Sequence, residues 1–348
     1  MQTIRKSDEK AWADNVDFES EFKDAALVEL GFNLDGSIAA GGGSTAQDAA
    51  LKSIGRLEFN HNGPRISADP RLLFYTYAFH DGGVKDLTGS TTLFSARFIL
   101  PLWRMCPRGG IDAVARPASW KSRFRAASYL NTTPGTINTT SRVRGTARTS
   151  PRAPAGGFRD PHWSQETVKV ETASISSNTR KIEFGSDYIV PFLTLMALDA
   201  SGDVAVTDTS LRVDGLARRI TIERFGLNGE TRKIVDDISW GALRSQTGSL
   251  ARWSADDIAT TAGIVVIPCI DPDSEDGLMR MPSGSHLVVT VDSSSTVEAG
   301  YTAVTPAAGD TLEILVPKFF SREKQTPRSA TTQAEVAATA STRRSRVF

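Results

Sequence analysis

The sequence has few cysteines, no excess of charge and no long apolar run, and each absence excludes a class of protein. Only Cys106 and Cys269 occur among 348 residues, too few for a disulfide framework. Lysine plus arginine and aspartate plus glutamate number 40 each, so the chain as a whole lacks the positive charge that favours nucleic acid. No apolar segment approaches the ~20 residues of a membrane span, and the first residues lack a signal-peptide core. We therefore expect neither a membrane span nor export by that route.

Motifs that carry catalysis or hold metals are missing as well. Neither cysteine belongs to a CxxC motif, and no GxSxG turn or phosphate-binding glycine loop occurs. No His-x-His pair is present, which argues against a metal-binding double cupin; the histidines are His61, His80, His162 and His286. We therefore predict no catalytic residue, no cofactor and a role other than that of an enzyme.

One acidic loop, DPDSEDG at 271–277, has the alternating carboxylates of a calcium-binding loop. Its acids are Asp271, Asp273 and Glu275. An EF-hand loop needs glycine at its sixth position and glutamate at its twelfth. Here Gly277 is seventh and Pro282 is twelfth. The pattern favours an exposed acidic loop, with an irregular Ca²⁺ site as the alternative.

Positive charge is concentrated locally between Arg97 and Arg159, where 12 basic residues accompany a single acid. Basic residues interleaved with aromatic ones can bind nucleic acid, but they can also lie over a strand edge and pair with acids of a neighbouring subunit. The neutral net charge of the chain favours pairing with acids of a neighbouring subunit. We therefore expect no sequence-specific binding of nucleic acid. The candidate assembly contacts in this segment, which flank two aromatic side chains, are Arg116, Lys121, Arg123 and Arg125.

What the sequence does contain is a long repeat. A shift of 166 residues gives eleven identities over positions 16–63, where roughly three are expected by chance. The shift places Asn62-Gly63 on Asn228-Gly229, and Asn-Gly suits the tight turn of a β-hairpin. Farther along, Ile99–Pro101 falls on Val266–Pro268 at a shift of 167. The shared register predicts that both halves contain the same strands and turns.

The second half shows eight or nine short apolar or alternating runs separated by turn residues, which is typical of an antiparallel sandwich or barrel. Eight strands in two facing sheets make a jelly roll. Helical segments interrupt this pattern at 236–245 and at 254–263, where Ser254 is a candidate N-cap. The segment 67–79 occupies the same place in the first half.

The predicted fold is therefore all-β, with two tandem jelly-roll β-sandwiches, short helical insertions and terminal arms. The predicted divisions are an N-terminal arm at 1–15, a first jelly roll at 16–130, a linker and strand end at 131–165, a second jelly roll at 166–320 and a C-terminal arm at 321–348.

This layout resembles the double jelly-roll major capsid proteins of tailless icosahedral viruses, whose shells often enclose a membrane. The run LRVDGLARRITIERFGLNGETRKIVDDISWGAL at 211–243, followed by GIVVIPCID and GSHLVVTVD, is similar to members from bacterial viruses. The resemblance covers about 3–320 and implies a homotrimer that forms a pseudo-hexagonal block of an icosahedral shell. It also implies synthesis in the host cytoplasm, a location in the virion, and contacts with neighbouring capsomers, minor capsid or vertex proteins and internal membrane lipid.

Two other functions stay open at this point. A two-domain jelly-roll enzyme acting on glycans would need acids and tryptophans that converge in a cleft between the barrels. A tandem lectin-like attachment protein would bind glycans without turnover. The tryptophans are scattered along the chain, which neither supports nor excludes these functions; they include Trp103, Trp120, Trp163, Trp240 and Trp253.

The C-terminal arm yields a prediction. Residues 321–348 contain too few large apolar side chains to order themselves, so a partner must order them. Arg343, Arg344 and Arg346 offer forked donors for a neighbour's carboxylates or for phosphates of lipid or genome. We expect a chain ending at Phe320 to fold and trimerise but to assemble poorly, as measured by sedimentation and electron microscopy. Ordinary shells from that shortened chain would contradict this role.

Overall fold

The fold is dominated by β-strands. The computed structural model describes residues 3–6, 10–11, 17–22, 26–37, 51, 57–61, 64–84, 87–89, 93–101, 111–112, 118–123, 142–150, 168–174, 179–199, 211–273, 277–295, 300–301, 304–307 and 309–320.

The first half contains eleven of the described strands and one helix. In chain order they are β1 (Thr3–Lys6), β2 (Lys10–Ala11), β3 (Asp17–Phe22), β4 (Ala26–Ser37), β5 (Leu57–His61), β6 (Pro64–Ala68), α1 (Pro70–Asp81), β7 (Leu87–Gly89), β8 (Leu93–Pro101), β9 (Ile111–Asp112), β10 (Ala118–Arg123) and β11 (Arg142–Ser150).

The second half contains the remaining described strands and two helices. They are β12 (Val168–Ser174), β13 (Thr179–Glu183), β14 (Tyr188–Val190), β15 (Phe192–Asp199), β16 (Leu211–Arg212), β17 (Arg219–Phe225), β18 (Thr231–Ser239), α2 (Trp240–Ala251), α3 (Ala255–Thr260), β19 (Ile264–Pro268), β20 (Met279–Met281), β21 (His286–Asp292), β22 (Thr311–Val316) and β23 (Phe319–Phe320).

The two halves have the same strand order. The first half contains the runs β1-β11-β4-β8 and β3-β10-β5-β6, and the second contains β12-β22-β15-β19 and β13-β21-β17-β18. Each half has eight strands in these runs, which leave out the short strands β2, β7 and β9 of the first half and β14, β16, β20 and β23 of the second. When these eight strands are numbered in chain order, both halves read 1-8-3-6 in one sheet and 2-7-4-5 in the other. This is the eight-stranded jelly roll that the sequence predicts. The sequence repeat thus coincides with a repeat of strand order.

The sheets of the two halves are joined rather than separate. β6 of the first half runs parallel to β12 of the second, with Ile66 opposite Val168 and Ser67 opposite Lys169. These two residue pairs connect one sheet from each half into a single nine-stranded sheet. The connection is short, so most of the contact between the halves is made by side chains.

The division between the halves differs from the expected one at two places. Thr3–Lys6, expected in an N-terminal arm, pairs with β11, and Arg142–Ser150, expected in a segment of linker and strand end, pairs with both β1 and β4. Threonine, arginine and glycine made 142–150 look like a connection, yet its backbone completes the first sheet. We accordingly propose that the first jelly roll extends from residue 3 to residue 150.

β15 lies at the centre of the second half, and all eight of its side chains are buried. Leu193, Leu195 and Ala197 point into the core of the second jelly roll. Thr194 points to the opposite face, where α1 of the first half covers the strand. A strand buried on both faces loses the alternation of apolar and polar residues. This explains the continuous apolar run of the sequence at this position.

The helix ends follow local rules. Ser254 caps α3 in a capping box with Asp257, which confirms the predicted cap. Asp236 and Asp237, by contrast, do not begin a helix, because they lie in β18 and the cap of α2 is Ser239. Asp237 has a positive φ of 51° at a β-bulge, where its carboxylate accepts a hydrogen bond of 2.7 Å from Arg219.

Within the part of the chain that the structure describes, no helix has both the length and the apolar character needed to span a bilayer.

One aspartate fixes the position of α2. Asp214 Oδ1 accepts hydrogen bonds of 2.8 Å from Trp240 Nε1 and from the amide of Gly263, and lies 3.1 Å from Arg244 Nε.

Gly263 has φ +74°, and a Cβ atom there would lie 2.7 Å from the amide nitrogen of Val213. Position 263 therefore requires glycine both for its backbone conformation and for the close approach of the chain.

We expect Gly263→Ala to lower the free energy of unfolding by about 2–4 kcal/mol, from the strain of a positive φ plus the forced displacement of backbone. The matched control is Gly229→Ala, because Gly229 has φ +75° with nothing within 4 Å of the added Cβ. The control should cost only about 1 kcal/mol. Equal losses in denaturant unfolding would show that close approach at Gly263 is unimportant.

Candidate functional site: the contact between the two halves

The two halves of the chain meet at a contact that we call the inter-half contact and define as α1 and residues 82–84 packed on β15, β19, α2 and α3. α1 touches β8 of its own half and α2, β15 and β19 of the other. Every residue from Pro70 to Ala78 is buried. Asp69 caps the helix and Pro70 occupies its first turn, so the sequence begins the helix at the edge of this contact.

A buried hydroxyl pair lies at the middle of the contact. Thr76 Oγ1 lies 2.9 Å from Thr194 Oγ1, and both residues are fully buried. Trp253 Nε1 donates to the carbonyl oxygen of Ala78 at 3.2 Å. These bonds satisfy polar groups that would otherwise be costly to bury, and they fix how α1 lies on the second half.

An arginine and a tyrosine add a second cross-half interaction. Arg212 Nη2 donates to the Tyr75 hydroxyl at 2.8 Å, and its guanidinium carbon lies 4.3 Å from the centre of the tyrosine ring. The same guanidinium donates to the carbonyl oxygens of Thr260 and Ala262. These two carbonyl oxygens belong to the second half and hold the guanidinium in position against the tyrosine ring, which favours a cation–π contact.

The chain after α1 is tied to α3 by one carboxylate. α1 ends at Gly82 in the left-handed conformation. Two residues later, the amide of Val84 donates to Asp257 Oδ1 at 2.8 Å, while Asp257 Oδ2 accepts from the Ser254 amide at 2.9 Å. The one carboxylate of Asp257 thus caps α3 and also binds the backbone of the first half. A small apolar cluster packs beside it, made of Ala78, Ala251 and Trp253 with Phe79 and Val84.

Two buried arginines lie on the helices of this contact, and each has a carboxylate within ion-pair distance. Arg71, with 1% of its side chain exposed, makes an ion pair of 2.7 Å with Asp69. Arg244 of α2 donates to the carbonyl oxygens of Thr261 and Ile264 at 2.7 and 3.0 Å. Burial lowers the pKa of Arg244, with the Asp214 carboxylate opposing that shift. Removing a partner from such a charge is strongly destabilising.

The side chains of the assembly residues predicted from the sequence lie outside the part of the chain that the structure describes. Arg116 and Arg125 lie outside the described residues, as do Arg343, Arg344 and Arg346. Lys121 and Arg123 lie on β10, whose pairing with β3 and β5 is described, but their side chains fall outside the description. Their role in assembly stays a prediction.

The acidic loop is engaged in ion pairs. Asp271 binds Arg224 at 3.1 Å and Arg232 at 2.7 Å, and Arg232 also binds Asp273 at 2.9 Å. Arg224, Arg232 and Asp271 border a surface pocket of about 240 Å³. Glu275 lies outside the described residues. Among the residues that the structure describes, no group of three or more histidine, cysteine or acidic side chains is placed to hold a metal.

Cys269 is a buried side chain directly after β19. Burial raises the pKa of its thiol to about 12, so the thiol is protonated and unreactive in the folded chain. Cys106 lies outside the described residues.

Two eight-stranded jelly rolls with the same strand order, joined side by side through a buried helix, define the class of fold as a double jelly roll. No protein-family model and no characterised protein sequence matches the chain. The crystal structure of the major capsid protein P2 from bacteriophage PM2 is similar to it, with a TM-score of 0.51 at 9% identity over 93% of this chain and 99% of that chain. At this identity the likeness concerns the fold alone.

A quasi-atomic model of the PBCV-1 virus capsid also overlaps the chain. It covers 92% of this chain and 93% of that chain at 11% identity, with a TM-score of 0.47.

The hydroxyl pair yields a prediction for the inter-half contact. Thr76→Val should lower the free energy of unfolding by about 1–3 kcal/mol, because Thr194 is left as a buried hydroxyl without a partner. Thr194→Val should cost a similar amount for the same reason. The double variant should lose less than the sum of the two, since neither hydroxyl then remains. Strictly additive losses in denaturant unfolding would show that the two hydroxyls do not interact.

Proposed function

We propose that the protein is the major structural subunit of an icosahedral viral shell. The observation that carries this proposal is the pairing of two jelly rolls of equal strand order within one chain, side by side across a buried contact. The similarity to the major capsid protein P2 of bacteriophage PM2 supports it, because nearly the whole of both chains is covered. The role is that of a structural protein rather than of an enzyme, and its place is the virion.

The proposed building block is a homotrimer. Three copies bring six jelly rolls around one axis, so the block presents an outline close to a hexagon. Head-to-tail contacts close into a ring when the rotation between neighbouring units permits. The buried inter-half contact supports this arrangement because it holds the two jelly rolls of each chain at one relative orientation.

Further partners follow from a shell made of such blocks. Neighbouring capsomers contact one another, minor capsid or vertex proteins fill the special positions, and membrane lipid lies inside. We propose that Arg116, Lys121, Arg123 and Arg125 pair with acids of neighbouring subunits, and that residues 321–348 link a trimer to its surroundings. The neutral net charge supports contacts between subunits over binding of nucleic acid.

Native mass spectrometry and electron microscopy of the purified protein test this function. We expect a trimer at micromolar concentration, and shells or flat hexagonal arrays under assembly conditions. A stable monomer would contradict the proposal. A monomer that releases sugars from glycans would indicate a glycan-acting enzyme, and one that binds glycans without turnover would indicate an attachment protein.

A further inference from the structure

The surface pocket of about 240 Å³ beside β17 and β18 brings several basic side chains together. We call it the arginine pocket. Its charged side chains are three cations and one acid, namely Arg224, Arg232, Lys233 and Asp271. The rest of its wall is apolar and consists of Ile234, Pro268, Ile270 and Met279. Three positive charges against one negative charge leave an excess of two positive charges on the side chains that line the pocket.

The two arginines of the pocket lie at one level of the β17–β18 hairpin. Arg224 of β17 is paired directly with Arg232 of β18. Two like charges at opposite positions of neighbouring strands repel each other and destabilise the pairing. A hairpin with a structural role alone would be more stable with an acid or a neutral residue at one of the two positions. Natural proteins break such local rules at functional sites, so the arginine pair points to a ligand.

Asp271 neutralises the two arginines only in part. Its Oδ2 lies 3.1 Å from Arg224 Nη1, and its Oδ1 lies 2.7 Å from Arg232 Nη1. Asp273, whose side chain is 85% exposed, accepts a further bond of 2.9 Å from the same nitrogen of Arg232. A guanidinium has five N–H donors. Nε and Nη2 of both arginines have no hydrogen-bond partner among the residues that the structure describes, so donors remain for a ligand.

Lys233 adds a third positive charge, which its own partner holds only weakly. Its Nζ lies 2.5 Å from Asp236 Oδ1, but at least half of each side chain is exposed. Ion pairs between exposed side chains contribute little stability, because water screens the charges and the side chains lose conformational freedom. Asp271, by contrast, has only 13% of its side chain exposed. An anion that enters the pocket can therefore attract Lys233 away from Asp236 at a small cost.

The remaining donors and charges of the pocket favour a phosphate over a carboxylate. A carboxylate has two oxygens, and Asp271 already supplies such a group between the arginines. The phosphate of a monoester carries a charge of about −1.5 to −2 at pH 7 and offers three acceptor oxygens. Arginine binds phosphate through two parallel N–H···O bonds, and lysine binds it as a point charge. A phosphate therefore matches both the excess charge and the unused donors.

The size of the pocket and its apolar wall limit what is attached to the phosphate. The volume of about 240 Å³ lies below the ~300–1,000 Å³ of sites that enclose drug-sized ligands. A phosphate with a short organic group fits this volume, whereas a whole nucleotide does not. Ile270 of the apolar wall is 67% exposed, and the organic group of an ester would cover it. We therefore expect an ester rather than inorganic phosphate.

We propose that the arginine pocket binds a small phosphate monoester, with Arg224 and Arg232 holding the phosphate oxygens and Lys233 adding a third positive charge. Two sources present this group, a soluble ester such as glycerol 3-phosphate and the headgroup of a lipid with a terminal phosphate. The bound phosphate connects the β17–β18 hairpin to the segment that follows β19, and so stabilises the folded second half. The inference goes beyond the proposed function, because no part of it depends on a trimer or a shell.

Calorimetric titration of the full chain with glycerol 3-phosphate, at constant ionic strength, tests the site. We expect saturable binding of the ester and no binding of glycerol. Arg232→Met should weaken binding about tenfold or more, which is the loss expected for one charged hydrogen-bonded contact. The matched control is Arg219→Met, because Arg219 on β17 is similarly exposed, 38% against 35%, and pairs with Asp237 outside the pocket. The control should keep the wild-type affinity.

A second pair of variants leaves both arginines in place. Ile270→Glu puts a carboxylate at an exposed position of the pocket wall, so the chain should fold normally by circular dichroism. Repulsion between this carboxylate and the phosphate should weaken the binding of glycerol 3-phosphate, again by about tenfold. Ile270→Gln is the control of nearly equal size without the charge, and it should bind the ester more tightly than Ile270→Glu.

Flotation with vesicles separates the two sources of the phosphate. Capture of the wild-type chain by phosphatidylcholine vesicles that contain phosphatidic acid, with less capture of Arg232→Met and none by phosphatidylcholine alone, would assign the lipid. Binding of glycerol 3-phosphate without such capture would assign a soluble ester. The site is overturned by a lack of saturable ester binding, by equal affinity of the wild type and Arg232→Met, or by binding of a single-stranded oligonucleotide in place of the ester. Each of these results leaves the proposed function intact, because trimers and shells are measured separately.

Discussion

The burial of α1 between the two halves is the constraint on which the rest of the structure depends. Leu72, Leu73, Phe74 and Tyr75 are four consecutive residues that point to different sides of the helix, and each is fully buried. A helix with large apolar side chains on every side must be enclosed. One jelly roll offers a single surface to such a helix, and the second jelly roll supplies the other. The two halves are therefore held as one rigid unit by a segment that neither could cover alone.

The polar interactions of this contact determine its geometry more than its strength. Apolar burial is non-directional and would tolerate several orientations of α1 on β15. The hydroxyl pair of Thr76 and Thr194, the bond from Trp253 to the backbone of α1 and the carboxylate of Asp257 each accept only a narrow range of positions. Together they select one relative orientation of the two jelly rolls.

The sequence predicted elements that depend on local signals and missed those that depend on partners. The strand content, the helix after each fifth strand and the cap at Ser254 were predicted correctly, because alternation, apolar runs and capping residues act within a few positions. The sequence places Asp236 and Asp237 at the start of the helical segment 236–245, because acids are common in the first turn of a helix, yet β17 holds them in a strand. The full length of strand β11 is not predicted, because its Arg, Thr and Gly residues favour neither a strand nor a loop. Only its pairing with β1 and β4 makes it a strand. The inter-half contact had a signal that went unused: the run LLFYTYAF leaves α1 no polar face.

The position of α1 in the chain has a consequence for how the protein is made. α1 ends at Asp81, but the strands that cover its far side, β15 and β19, extend to Pro268. A ribosome working at roughly 5–20 residues per second needs on the order of 10–40 s to synthesise the intervening chain. During that interval the emerging first half carries an uncovered apolar helix, the kind of surface that chaperones bind and that drives aggregation. The yield of folded protein thus depends on how that interval is bridged, and faster translation of the segment between the helix and β19 would shorten it.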